Sequence, residues 1–175
     1  MPDFSQSFNL SKIASALWRT YLQNHYGKNV LDIISLEENI RYQKAKYGDF
    51  LVVLDDDKKE SRYFTVETKI RDARIYDLYL RDNCILFEIM GNVERQNNGS
   101  SLFDSKADIW ATAFLVNGQL KEPILFWVEP LKRFVKHWAN SYRNITSDTN
   151  AGKYHTLCKL VPLPHLQQFV FRPLI

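Results

Sequence analysis

The chain has 175 residues, of which 45% are apolar and 25% charged, and a net charge of +3 at pH 7. This length suits one domain with a continuous core, and the composition excludes an intrinsically disordered chain. The charge is mildly basic, so it is compatible with a phosphate-rich partner without requiring one. We therefore predict a single domain over residues 1–175.

The two cysteines, Cys84 and Cys158, lie far apart in apolar stretches of the kind that bury free thiols. The amino end has no basic segment followed by an apolar core. The longest apolar runs, such as 84–90, are too short to cross a bilayer. We expect a reduced, cytoplasmic protein that is neither secreted nor embedded in a membrane.

Two helices are predicted at the start of the chain. Apolar residues between 10 and 22 recur with the spacing of one helical face, with Asn9 as a possible cap and Gly27 as a stop. Ser35 begins a capping-box sequence, which predicts a second helix over 35–44.

A hairpin of two strands should follow. Asp49 leads into a continuous apolar run that is typical of a strand covered on both faces. After a charged turn, residues 62–70 alternate between two faces, with Glu67 and Lys69 on the same one. The remaining predicted elements are strands over 85–90, 109–116 and 125–128 and a helix over 130–142. This order indicates one α/β domain.

The hairpin carries the residues with the clearest chemistry. Glu67 and Lys69 are two positions apart on one strand, so their side chains leave from the same face. An antiparallel register that pairs Asp49 with Glu67 would add a second carboxylate to that face. Two such carboxylates need a neutralising partner, and a hard divalent cation, best Mg²⁺, supplies one. Such a metal can activate water against a phosphodiester, with Lys69 orienting that water.

Gly48-Asp49 together with Glu67-Thr68-Lys69 resembles the motif of the PD-(D/E)xK nucleases, with glycine in place of the motif's proline. The resemblance implies that Asp49 and Glu67 bind the metal, that Thr68 offers its main-chain carbonyl, and that Lys69 assists the attacking water. It also implies a restriction-endonuclease-like central mixed β-sheet flanked by α-helices. The implied activity is a magnesium-dependent endonuclease acting on DNA, in which Mn²⁺ can substitute for Mg²⁺.

Two further features of the chain extend the resemblance. The family often draws another carboxylate from an upstream helix, and a helical wheel places Glu37 closer than Glu38 to the apolar side of the predicted helix. Glu37 is therefore a further candidate metal ligand. Residues 105–110 resemble a Lys-x-Asp-aromatic segment of phage and bacterial nucleases, which implies that Lys106 contacts a phosphate. A salt bridge at the loop end, or Asp108 starting a strand, explains this segment equally well.

The predicted helix over 130–142 carries Lys132, Arg133 and Lys136 on its polar side, a candidate nucleic-acid-binding patch. A solvated helix face also accounts for any one of them. The expected partner is duplex or branched DNA, and a homodimer is expected because a duplex has two strands to cut. Two alternatives remain: an inactive nuclease-fold protein that binds nucleic acid, and a protein-interaction domain whose charged strand residues form salt bridges.

Overall fold

A computed structural model describes residues 4–55, 61–71, 73–93, 101–149 and 154–171. Its helices are α1 (Phe4–Tyr26), α2 (Ile40–Ala45), α3 (Ala73–Asp82), α4 (Ser101–Asp104), α5 (Val128–Trp138) and α6 (Leu163–Leu166). Its strands are β1 (Val30–Ser35), β2 (Phe50–Leu54), β3 (Arg62–Arg71), β4 (Cys84–Met90), β5 (Ile109–Val116), β6 (Gln119–Trp127), β7 (Arg143–Thr149) and β8 (Tyr154–Pro162). None of the helices in these ranges is both long and apolar enough to cross a membrane.

The strands form two sheets, and the class is mixed α/β as the order of elements predicts. The larger sheet has five strands in the order β1-β2-β3-β5-β6. Its pairs are antiparallel except for β3 and β5, which run parallel. Parallel neighbours need a crossover, and here α3, β4 and α4 lie in it. The smaller sheet is antiparallel, with the order β4-β8-β7.

The larger sheet is covered on both faces. Trp18 and Leu22 of α1 are fully buried against one face, together with Val52, Val66 and Ala111. The opposite face carries Trp110 and Phe126, which pack with side chains from α5, β4 and β8. Burial on both sides explains the continuous apolar sequence of β5, whose first six residues are all buried.

Several predicted elements are confirmed. The first helix forms and ends at Gly27, where φ is +57°. It begins before Asn9, however, so the prediction of Asn9 as its cap is wrong. The hairpin of β2 and β3 forms with Phe50 opposite Val66. The predicted strand over 109–116 has the observed bounds of β5.

The predicted helix over 35–44 is wrong at its start. Residues Val30–Ser35 form β1 instead, and Ser35 pairs with Phe50 at the end of that strand. The cap of α2 is Asn39, whose side chain accepts the main-chain N–H groups two and three positions on. Ser35 does not cap a helix because it pairs with Phe50 at the end of β1. This pairing joins residues distant in the chain, so a local capping motif gives no indication of it.

The carboxyl-terminal third also differs from the prediction. No strand was predicted after the helix over 130–142, but β7 and β8 form a hairpin there. The sequence of β7 is mostly polar because the strand lies at the edge of the smaller sheet. The α3 helix was not predicted at all, and β6 begins at Gln119, well before the predicted strand over 125–128.

Candidate active site

The main chain of Asp49 is held between two neighbouring strands. Its N–H donates to the carbonyl of Val66 in β3 at 2.7 Å, and its carbonyl accepts from the N–H of Leu36 after β1 at 2.7 Å. Because Glu37 follows Leu36 and Glu67 follows Val66, these two bonds bring three acidic residues near one another, just after β1, just before β2 and within β3. The pairing of β2 with β3 ends at Phe50 and Val66, and the N–H of Asp49 bonds to that same Val66, so the register that would set Asp49 directly opposite Glu67 stays a prediction.

Gly48 allows this close approach of the loop to β3. Its φ is +101°, and a Cβ at this position would lie 2.6 Å from the carbonyl oxygen of Val66. Proline is restricted to a φ near about −65°, so the proline of the nuclease motif could not take this conformation here. The structure therefore gives a physical reason for the glycine that precedes Asp49.

The carboxylate of Asp49 is fixed by Thr68. Its Oδ2 accepts the main-chain N–H of Thr68 and the Thr68 hydroxyl, each at 2.7 Å. Hydrogen bonds to a charged group are stronger than those between neutral groups. The resemblance implies a role only for the main-chain carbonyl of Thr68. Nothing in the local sequence pattern indicates that its hydroxyl bonds to Asp49.

Glu67 and Lys69 form an ion pair on β3. Lys69 Nζ lies 2.7 Å from Glu67 Oε1, with the two side chains 29% and 15% exposed respectively. The same Nζ is 5.6 Å from the centre of the Trp110 ring. Glu88 lies on β4 in the smaller sheet, where it pairs with Cys158.

The electrostatic environment of Glu67 does not fully compensate its charge. Burial raises the pKa of this carboxyl most strongly, the positive charge of Lys69 lowers it, and the negative charge of Asp49 raises it again. The net shift of the pKa is upward. A cation placed between Asp49 and Glu67 would relieve both the burial cost and the repulsion.

Glu37 belongs to the same group of charges. Burial raises the pKa of its carboxyl, a hydrogen bond with Ser15 of α1 lowers it, and the charge of Asp49 raises it. Glu37 lies in a turn between β1 and α2 and not on a helix, so the helical-wheel argument for it is wrong. The residue is placed near Asp49 by the bond between the main chains of Leu36 and Asp49.

The donor atoms at this site are of the kind that suits a hard cation. Asp49 and Glu67 offer carboxylate oxygens and Thr68 offers a main-chain carbonyl, which are ligand types that Mg²⁺ binds. Within the described ranges, no group of three or more His, Cys, Asp or Glu side chains is arranged to hold a metal ion. A metal here would therefore depend on the two carboxylates, the carbonyl and water.

Asp108 and Lys106 have different roles. Asp108 Oδ2 accepts the main-chain N–H of Thr65 at 2.7 Å and the Thr65 hydroxyl at 2.9 Å, which ties the start of β5 to β3. This geometry favours the interpretation of Asp108 as a residue that starts a strand. Lys106 is exposed, with its Nζ 5.9 Å from the centre of the Tyr47 ring. Its main-chain N–H donates to the carbonyl of Lys46 at 2.6 Å.

The three basic residues proposed on the last long helix are not equivalent. Lys132 Nζ donates to the carbonyl of Ser105 and lies 3.0 Å from Glu129 Oε1, and its side chain is only 16% exposed. Lys132 therefore joins α5 to the loop before β5. Arg133 and Lys136 are exposed, and Arg133 Nε donates to the carbonyl of Glu129 at 3.4 Å.

No protein-family model, curated protein or solved structure matches this chain.

Proposed function

We propose that this protein is a magnesium-dependent endonuclease that hydrolyses phosphodiester bonds in DNA. The observation that carries the proposal is that the Asp49 carboxylate accepts two hydrogen bonds from Thr68, the residue that stands in sequence between the ion-paired Glu67 and Lys69. These are the residues and the strand positions on which the resemblance to PD-(D/E)xK nucleases rests. A mixed sheet flanked by helices supports the finer proposal of a restriction-endonuclease-like fold.

Each residue of the site has a role in this proposal. Asp49 and Glu67 supply carboxylate oxygens to the metal, with the carbonyl of Thr68 as a further oxygen donor, while Glu37 adds negative charge near Asp49. When bound, Mg²⁺ polarises the phosphodiester and lowers the pKa of a bound water. Lys69 orients the attacking water and stabilises the negative charge that develops on the phosphate. Thr68 keeps Asp49 in place through its N–H and hydroxyl.

The proposed substrate is duplex or branched DNA, with Mn²⁺ able to replace Mg²⁺. The described part of one chain offers one site of this kind, so a homodimer is the proposed form for cutting both strands of a duplex. Lys106, Arg133 and Lys136 are exposed and remain proposed contacts for backbone phosphates. Lys132 is the weakest of the proposed contacts because its ammonium already bonds to Ser105 and Glu129.

One observation favours a second candidate function. The direct ion pair between Glu67 and Lys69 at 2.7 Å is what a protein-interaction domain would contain if these charges only formed salt bridges. That function requires neither metal binding nor DNA binding. Burial is the main cause of the raised pKa of Glu67, and the negative charge of Asp49 adds to it; a divalent cation would offset both, which supports the nuclease.

A nuclease assay on duplex, branched and single-stranded DNA tests the proposal, with Mg²⁺, Mn²⁺, Ca²⁺ or a chelator. We expect cleavage with Mg²⁺ or Mn²⁺ and none with the chelator. Glu67→Gln and Lys69→Ala should each abolish cleavage while the fold and most DNA affinity remain. Glu122→Gln, which changes an exposed carboxylate on β6, is the matched control and should cleave as the wild type does.

The outcomes separate the candidate functions. Full activity in either purified site variant would exclude the assigned active site. DNA binding without cleavage under every metal condition would indicate an inactive nucleic-acid-binding protein. The absence of both DNA binding and a metal effect in the wild type would indicate a protein-interaction domain.

A further inference from the structure

Two loops meet beside the carboxylates. The main-chain N–H of Lys106 donates to the carbonyl of Lys46 at 2.6 Å. The side chain of Lys46 crosses between the same loops, with its Nζ 2.6 Å from Asp104 Oδ2. We call this joined pair of segments, 46–48 and 104–106, the basic rim.

The basic rim is held close to Glu67. Lys46 has a φ of 60° and ends α2, which turns the chain toward β3. Two residues later, Gly48 lies so near β3 that a Cβ there would be 3.0 Å from the main-chain nitrogen of Glu67. Consistent with this placement, burial is the largest influence on the pKa of Glu67 and raises it, while the charge of Lys46 is among the influences that lower it.

The ammonium of Lys46 is accessible, unlike that of Lys132. The side chains of Lys46 and Asp104 are 51% and 38% exposed, so water screens their attraction and the pair contributes little. Lys132, by contrast, is 16% exposed and bonds to both Glu129 and a main-chain carbonyl. An arriving anion can therefore take the place of Asp104 at Lys46 at small cost.

We propose that Lys46 and Lys106 together bind a backbone phosphate of DNA next to the scissile bond, and that Asp104 occupies Lys46 until the phosphate displaces it. The inference rests on the proposed nuclease function and adds a phosphate site to it. Two lysines on joined loops beside two metal-binding carboxylates form such a site, because the rim supplies positive charge on the side of the scissile phosphate. Lys46 was not among the residues that the sequence indicated, since it lies outside every motif.

The test measures DNA binding without cleavage, using duplex DNA, Ca²⁺ or a chelator, and a series of salt concentrations. The variants are Lys46→Gln, Asp104→Asn and the double variant. Glutamine keeps a long side chain and the same preference against a positive φ, so the loop conformation is little disturbed. Lys28→Gln is the control, because this exposed lysine lies before β1 at the far end of β2, where Val30 pairs with Leu54.

We expect Lys46→Gln to weaken DNA binding several-fold and to lower the log-log salt slope by about 0.9, the value for one lost phosphate contact. Asp104→Asn should strengthen DNA binding by about two- to fivefold, because the phosphate no longer competes with Asp104 for Lys46. This factor corresponds to the free energy of an exposed ion pair. In the double variant this gain should disappear, because the lysine that Asp104 occupied is gone. Lys28→Gln should keep the wild-type salt slope.

A purely structural ion pair gives a different pattern. Asp104→Asn would then leave DNA affinity unchanged or reduced, both single variants would lower the melting temperature equally, and the inference would be overturned. Cleavage of DNA by a Lys46→Gln protein with the wild-type salt slope would overturn the phosphate site while leaving the nuclease function intact. If the wild-type protein shows no Mg²⁺-dependent cleavage, the proposed nuclease function is overturned, whatever the results for the variants of the basic rim.

Discussion

Thr68 donates two hydrogen bonds to one oxygen of Asp49, from its main-chain N–H and from its hydroxyl, each 2.7 Å long. Asp49 lies immediately before β2, and Thr68 lies in the second half of the adjacent antiparallel strand β3. The main-chain bond survives any substitution of Thr68 by a residue of the same shape, whereas the hydroxyl bond does not. The hydroxyl contribution can therefore be removed by itself.

Thr68→Val removes the hydroxyl and keeps the branched side chain. We expect a loss of about 10- to 100-fold in cleavage or in apparent Mg²⁺ affinity, the usual cost of removing a group that orients a metal ligand. The free energy of unfolding should fall by about 1–3 kcal/mol, since a charged group loses a hydrogen bond. Cleavage rates over a range of Mg²⁺ concentrations measure the effect.

Thr68→Ser is the matched control because it restores the hydroxyl. It should recover most of the lost activity and metal affinity. If the valine and serine variants behave alike, the hydroxyl does not position Asp49 and the main-chain N–H alone holds it.

The raised pKa of Glu67 predicts a pH-dependent stability. Burial is its main cause, and the folded value lies above the ordinary 4.5. The folded state then binds this proton more tightly than the unfolded state, so the stabilisation is complete below about pH 4.5 and is lost as pH rises through the folded pKa. The glutamine of Glu67→Gln does not ionise, so this variant does not lose stability in this way as the pH rises. Without metal, its melting temperature should therefore rise relative to the wild type across that window.

Thermal unfolding in chelator from pH 4 upward measures this difference, with Glu122→Gln as the control for removing a carboxylate elsewhere. The trend of the melting-temperature difference with pH is the informative quantity. Its sign at any single pH is less informative, because Glu67→Gln also removes the charged partner of Lys69 at 2.7 Å. A difference that stays flat or falls with pH would contradict the raised pKa.

Metal binding should stabilise the wild type and depend on Asp49. Without metal, the carboxylates of Asp49 and Glu67 repel each other. A ligand at a hundred times its Kd stabilises by about 2.7 kcal/mol, which corresponds to roughly 5–10 °C for a chain of this size. Mg²⁺ or Mn²⁺ should therefore raise the melting temperature of the wild type, and raise that of Asp49→Asn by less. Equal increases in both proteins would place the metal elsewhere.

Lys106 and Lys132 should respond differently to substitution by alanine. Lys106 is exposed near Tyr47, so Lys106→Ala should weaken binding to all DNA sequences and reduce the salt slope by about one, with metal binding unchanged. Lys132→Ala should instead lower the melting temperature and keep the wild-type salt slope, because its ammonium bonds to Ser105 and Glu129. Salt titrations of DNA binding and thermal unfolding of both variants provide the measurements.

The opposite pattern would change the assignment. If Lys106→Ala kept the wild-type salt slope and lost only thermal stability, Lys106 would be a structural residue. The resemblance over residues 105–110 would then carry no functional weight.

The sequence by itself determined the elements whose patterns are local. The alternation over 62–70 and the apolar run after Asp49 were sufficient for the β2–β3 hairpin, because side-chain period and burial are properties of each strand. The same periodicity placed Glu67 and Lys69 on one face.

Only the tertiary structure decided how distant segments meet. The local pattern around Ser35 predicts a helix cap, but in the structure Ser35 pairs with Phe50 in a strand. Glu37 lies near Asp49 because the N–H of its neighbour Leu36 donates to the main-chain carbonyl of Asp49. The bond from the Thr68 hydroxyl to Asp49 and the Lys46–Asp104 pair are likewise indicated by no sequence motif. The physical reason is that these contacts join residues far apart in the chain, where the energy depends on relative position in space and leaves no periodic trace in the sequence.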